Sequence, residues 1–211
     1  MTDPVKRPYV SAKRDAQARA TRKAILEAAT RLFPATGYVA TTIQAVADEA
    51  DVAVQTVYAV FGNKRELLRQ VLEAAVVGDA DVATVDERAD VQALANEPDP
   101  RRRAQMSAAI SAAISQRIAP IARVLSEAAA ADPEFATAAA ALTEQRRADM
   151  AASARLLAGA DGLKVSREDA IGTLYVLYSP GVFTALTVDL GWSVKRYEKW
   201  LATMLYRTLL A

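Results

Sequence analysis

Histidine and cysteine, on which most nucleophilic, zinc and redox chemistry depends, are both absent from the 211 residues. That excludes Ser-His-Asp and Cys-His systems, thiolate or imidazole zinc sites, disulfides and redox dithiols. Catalysis would be left with carboxylate acid and base work, lysine chemistry or magnesium-phosphate chemistry. Glu127, Asp132, Glu134 and Glu144 are the carboxylates a small helical enzyme would use, but they fit exposed helix faces and a proline turn better. The sequence therefore predicts no catalytic residue, no metal and no cofactor.

The other chemistry available is charge. The chain carries 26 basic and 25 acidic side chains, a net charge of +1. They are unevenly placed. Residues 1–34 hold eight basic side chains (Lys6, Arg7, Lys13, Arg14, Arg19, Arg22, Lys23, Arg31) against three acidic ones (Asp3, Asp15, Glu27). This local positive field would attract a polyanion, although a solvated tail and helix face would carry the same charges.

The elements that must position these charges are helical. A hydrophobic fraction of 52% allows a sizeable core, and 24% charged residues is ordinary for a globular chain. Eight Gly, eight Pro and the alanine runs 128–131 and 138–141 favour long helices, because Ala loses least on entering one. With no 18-residue apolar run and no secretory signal, the expectation is a cytoplasmic, all-α protein with no membrane partner.

About nine helices are predicted. Residues 1 to about 15 read as a flexible arm. Ile25, Ala28, Ala29, Leu32 and Phe33 then mark one face of a first helix, ending at Pro34–Gly37. Ile43, Val46, Ala47 and Ala50 mark a second, with Thr41 and Gln44 spaced as a capping box. After a turn at Asp51 to Ala53, Val57, Val60 and Phe61 mark a third, closed by Gly62. Asn63 and Glu66 would cap a long fourth helix reaching residue 80 or the nineties. Five more are expected at about 101–118, 120–131, 134–157, 166–190 and 193–210, with Pro120 opening its helix and Pro180 disturbing another.

Two short helices joined by a three-residue turn have the spacing of a helix-turn-helix. In order, the stretch supplies Leu32, Phe33, Gly37, Tyr38, Thr41, Thr42, Ala47, Val52, Thr56, Tyr58, Phe61 and Lys64. This pattern resembles the DNA-binding head of the TetR family of bacterial transcriptional regulators. Three positions depart from it: Asp51 where Gly is usual, Ala53 where a capping Ser or Thr is usual, and Val60 where His is common.

The resemblance implies a helix-turn-helix head over 1–62 and a helical effector-binding and dimerisation body over 63–211. Thr42, Tyr58 and Lys64 would contact phosphates, Thr41 would join them at the DNA, and Val54, Gln55 and Thr56 would meet base edges. Arg14, with Arg7 and Lys13, would act as an arm on a minor groove. In the body, Met106, Ile110, Ile114, Arg117, Tyr175, Tyr178 and Phe183 are the expected lining of a pocket for a largely apolar effector with an acid or carbonyl group. The stripe Tyr197, Trp200, Leu201, Met204 and Leu205 is the expected homodimer seam. The function implied is a homodimeric repressor released from its DNA operator by a small molecule. A non-specific DNA-binding or scaffold protein is the alternative, and Gln55 would not matter to it.

Overall fold

The computed structural model describes residues 9–78, 84–131 and 133–210, with side chains described outside 9–13, 86 and 131–142. Within these residues every regular element is helical: α1 (Tyr9–Ala40), α2 (Ile43–Glu49), α3 (Val54–Phe61), α4 (Lys64–Val77), α5 (Ala89–Ala95), α6 (Pro100–Ala131), α7 (Pro133–Ala158), α8 (Arg167–Leu177), α9 (Pro180–Thr184) and α10 (Val194–Leu205). Single π-type turns follow α9 and α10 at Ala185–Asp189 and Tyr206–Leu210.

The chain forms two compact units, Met1–Val71 and Leu72–Ala211. The division falls inside α4 rather than at the expected boundary after residue 62. The reason is that the buried side chains of α4, Leu67, Leu68 and Val71, all lie in its first two turns and serve the first unit. That unit buries Ile25, Ala28, Ala29 and Phe33 of α1, Val46 and Ala47 of α2, and Val57 and Phe61 of α3. Each large apolar side chain among them contributes about 1.5–3 kcal/mol by leaving water. Helix α1 starts at Tyr9 rather than near residue 15, since Ala12, Ala16, Ala18 and Ala20 interleaved with Lys, Arg and Gln are strong helix formers. It breaks where expected, at Gly37, whose φ of 82° is left-handed.

In the second unit α6 is central and packs against α5, α7, α9 and α10. Its inward face is small or polar: Ala104, Ala108 and Ala112 are buried, as are Arg103, Ser107, Ser111 and Ser115 at four-residue intervals. Small side chains let neighbouring helices approach closely, and Leu157, Leu174, Leu201, Leu205 and Leu209 fill the layer.

Three boundaries differ from the sequence expectation. Helix α4 stops at Val77, and α5 is a separate element that the sequence reading passed over. The helices expected at 101–118 and 120–131 are one, because Pro120 sits inside α6. Gln116, whose carbonyl loses its donor, is exposed together with Pro120, so water can serve it, while Ile121, Val124 and Ala128 continue the buried face. The helix expected over 166–190 divides at Ser179, which caps α9 by accepting from Gly181 N–H, with Pro180 at the first helical position.

Candidate nucleic-acid interface

The interface is built from the α2–α3 pair. Thr42 caps α2, its hydroxyl accepting from Ala45 N–H at 3.0 Å. The capping box expected between Thr41 and Gln44 does not form. The cap is one residue later, and Gln44 donates instead to Asp48 at 2.7 Å. The turn is held by Val52 N–H on Ala47 C=O at 3.0 Å, and Asp51 sits there at φ 53°. A glycine is the family's usual residue at this point because left-handed backbone costs other residues on the order of 1 kcal/mol. Aspartate tolerates it better than most. Ala53 leaves α3 without a side-chain cap, as the sequence predicts.

Helix α3 buries Val57 and Phe61 and turns Gln55, Tyr58 and Ala59 outward, with Tyr58 51% exposed. Val54 and Thr56 are half-buried at the edges of this face. Beside it runs an open groove of about 380 Å³ lined by Arg14, Gln17, Ala18 and Thr21 of α1 and by Thr56 and Val60 of α3. Gln17, Ala18 and Thr21 were missed in the sequence, although they extend the α1 core stripe backwards in the same helical register. Arg7 and the side chain of Lys13 lie outside the described residues.

Two of the residues expected at the DNA are occupied elsewhere. Thr41 is 2% exposed; its hydroxyl donates to Gly37 C=O at 2.7 Å and lies 2.7 Å from the Thr36 hydroxyl. Lys64 turns its ammonium onto the carbonyls of Tyr38 (2.8 Å), Thr41 (2.9 Å) and Val39 (3.4 Å), over the Tyr38 ring. These are carbonyls that the end of α1 leaves without helical donors, so Lys64 is their cap. Burial lowers its pKa from the usual lysine value. Asn63 accepts from Glu66 N–H at 2.9 Å, but Glu66 does not close a box. Its carboxylate takes Arg69 and Gln70, and the Arg69 bond is the main cause holding its pKa at about 2.

Residues 25–71 match the model of the bacterial regulatory proteins of the TetR family. The head is a TetR-family DNA-binding domain. Solved structures with the fold of the whole chain include a protein from Mesorhizobium loti MAFF303099 described as a TetR-family transcriptional regulator (20% identity, TM-score 0.67, covering 90% of this chain and 95% of that one). A transcriptional regulator from Saccharomonospora viridis in complex with choline shares 18% identity (TM-score 0.65; 92% and 98% covered). SmeT in its triclosan complex also shares 18% (TM-score 0.65; 91% and 92% covered). No curated protein matches the chain. A TetR-family head marks a DNA-binding transcriptional regulator and not an enzyme, which disposes of the carboxylate reading; Asp132 and the side chain of Glu134 lie outside the described residues. No single helix among the described residues is long and apolar enough to cross a membrane.

In the second unit the residues expected around an effector do not converge. Met106 and Ile110 line a shallow recess of about 220 Å³ with Asp90 and Ala109, and Ile114 is half-buried one turn on. Arg117 points away: its guanidinium donates to Ala75 C=O (2.7 Å) and Val76 C=O (3.2 Å), while Arg88 donates to Val77 C=O (3.1 Å). It is a cap for the end of α4, and burial, then the neighbouring Arg88, lowers its pKa. The Tyr175 ring lies under Arg146 at 4.1 Å. Tyr178 shares a 2.6 Å hydrogen bond with Ser107, and burial pushes its phenol well above the usual range. Phe183 meets the Tyr197 ring edge-on at 5.1 Å.

The expected dimer stripe is also used internally. Tyr197, Leu201 and Leu205 are fully buried in the core around α6, and Trp200 and Met204 are half-buried beside them. An apolar stripe shows that a helix face is covered but not by which partner. Here the chain covers its own. Among the described residues the exposed large apolar side chains of this unit are instead Val176, Val188 and Leu190, at 59%, 70% and 64%.

Proposed function

We propose that the chain is a homodimeric, cytoplasmic repressor that seats α3 in the major groove of an operator and is released by a small molecule. The observation that carries the DNA reading is the division of α3 into a buried face, Val57 and Phe61, and an outward face bearing Gln55 and Tyr58. The Gln55 amide suits the N6 and N7 edge of adenine, with Val54 and Thr56 flanking it. Tyr58 and Thr42 are the phosphate ligands of this reading; Thr41 and Lys64 hold the head together. Gln55→Ala is expected to cut the preference for a selected duplex over a scrambled one by about tenfold or more at fixed salt. Equal losses on both duplexes in a fluorescence-anisotropy titration would favour a non-specific binder.

Effector release is supported by the fold, which this chain shares with proteins solved with choline, with triclosan and, for the multidrug binding protein EbrR, with imidazole. The recess beside Met106 and Ile110 is below the ~300 Å³ of ordinary drug-sized sites, so an effector using it is small or parts α5 from α6. The homodimer of this reading would associate through Val176, Val188 and Leu190, which are large, apolar and exposed. Sedimentation equilibrium is expected to give twice 22.6 kDa, and Val176→Lys with Leu190→Glu to give the single mass. A parent chain that sediments as a monomer would sink the dimer.

A further inference from the structure

We infer that the α1 face formed by Arg14, Gln17 and Thr21 seats a DNA phosphodiester strand, on the flank of α3 opposite Tyr58. The inference rests on the DNA reading above and adds a second phosphate contact surface to it.

The first argument is the register of α1. Arg14, Gln17, Ala18 and Thr21 stand at i, i+3, i+4 and i+7, and continuing the same stripe reaches Ile25, Ala28 and Ala29, which are fully buried. One helix face is therefore apolar where it meets the core and polar and basic where it overhangs α3. Arg14, Gln17 and Ala18 are exposed and Thr21 is half-buried, so the face is open to a partner.

The second argument is the geometry of α3. With a residue every ~100°, Gln55 and Ala59 lie at the centre of the outward face, Tyr58 lies to one side, and Thr56 and Val60 lie to the other. Thr56 and Val60 are the two residues that α3 contributes to the groove of about 380 Å³. A helix in a major groove has one sugar-phosphate strand along each flank, so Tyr58 and the α1 groove face different strands.

The third is charge. Among the described residues Arg22 is engaged with Gln70 and the Phe61 ring, Lys23 pairs with Glu27, and Arg31 with Glu49. Arg14 is exposed, and it is the basic side chain that lines the groove. A phosphate is the anion of the right size and charge for a guanidinium beside an amide and a hydroxyl.

The test uses the full chain, a duplex that it selects from a random pool, and a scrambled duplex of equal length. R14Q is expected to reduce the slope of log affinity against log salt by about 0.9, the release of one phosphate's counterions. Q17A combined with T21V is expected to weaken both duplexes equally, by about five- to tenfold. In phosphate-ethylation interference, R14Q and Y58F should erase signals on opposite strands of a half-site. R19Q removes a charge on another face of α1 and should leave that pattern unchanged. An unchanged slope for R14Q, both signals on one strand, or an equal effect of R19Q would each overturn the inference. Failure of the parent chain to select any duplex would sink the DNA reading itself, and this inference with it.

Discussion

Arg103→Ala is expected to unfold the C-terminal unit at a far lower urea concentration, with a loss on the order of 3 kcal/mol. Both tryptophans of the chain, Trp192 and Trp200, lie in that unit, so their fluorescence follows its unfolding alone. Arg103 is 2% exposed and spends its guanidinium on the chain ends around it. It donates to Leu157 C=O (3.0 Å) and Ala158 C=O (3.3 Å) at the end of α7, and to Glu97 C=O (3.2 Å) and Pro98 C=O (2.8 Å) ahead of α6. The Asp161 carboxylate, 2.8 Å away, is 62% exposed, and an ion pair so open to water adds little. The loss comes from carbonyls left without a donor, Leu157 C=O buried and the other three part-buried.

Gly159 shows how tightly the guanidinium is seated. It has φ 53°, and a Cβ there would lie 2.6 Å from Arg103 Cζ. Arg103→Met, which keeps the volume but not the donors, should lose nearly as much as alanine. A parent-like midpoint for the methionine variant would show that the capping carries nothing. Arg117 repeats the device four turns further along α6, over the end of α4 and Gly78.

These two arginines hold roles that the sequence did not make legible, whereas other parts of the fold were open to reading. Apolar periodicity gave the helices of the head, because Ile25, Ala28, Val46, Val57 and Phe61 must face one core and there is little chain to offer another. The break at Gly37 and the missing cap at Ala53 were equally open to reading, since both are local backbone chemistry. The roles of Arg103, Arg117, Lys64 and Thr41 were not, because each bonds a carbonyl, and carbonyls carry no residue-type signature. A lysine beside a DNA-binding helix suggests a phosphate; only the fold puts three carbonyls closer. In the same way the stripe Tyr197, Leu201 and Leu205 is correct as a buried face, but its partner is α6 and not a second copy.

Lys64→Met gives the second large effect and separates the two roles that this lysine could hold. As a cap it binds three carbonyls at the end of α1 and beyond, and a net bond to a charged donor is worth about 1.5–3 kcal/mol. Val39 is 71% exposed, so water replaces part of what is lost, and about 2 kcal/mol of head stability should go. Faster hydrogen exchange in α2 and α3, with tryptophan fluorescence unchanged, is the expected signature, because the head contains no tryptophan. Affinity for DNA should fall on all duplexes, since the end of α1 and the start of α4 no longer fix the α2–α3 pair. The salt slope decides between the roles: a phosphate ligand would take about 0.9 from it, whereas a cap that never leaves its carbonyls takes nothing. A slope reduced by that amount, with exchange in α2 and α3 unaltered, would return Lys64 to the phosphate backbone and remove it from the architecture of the head.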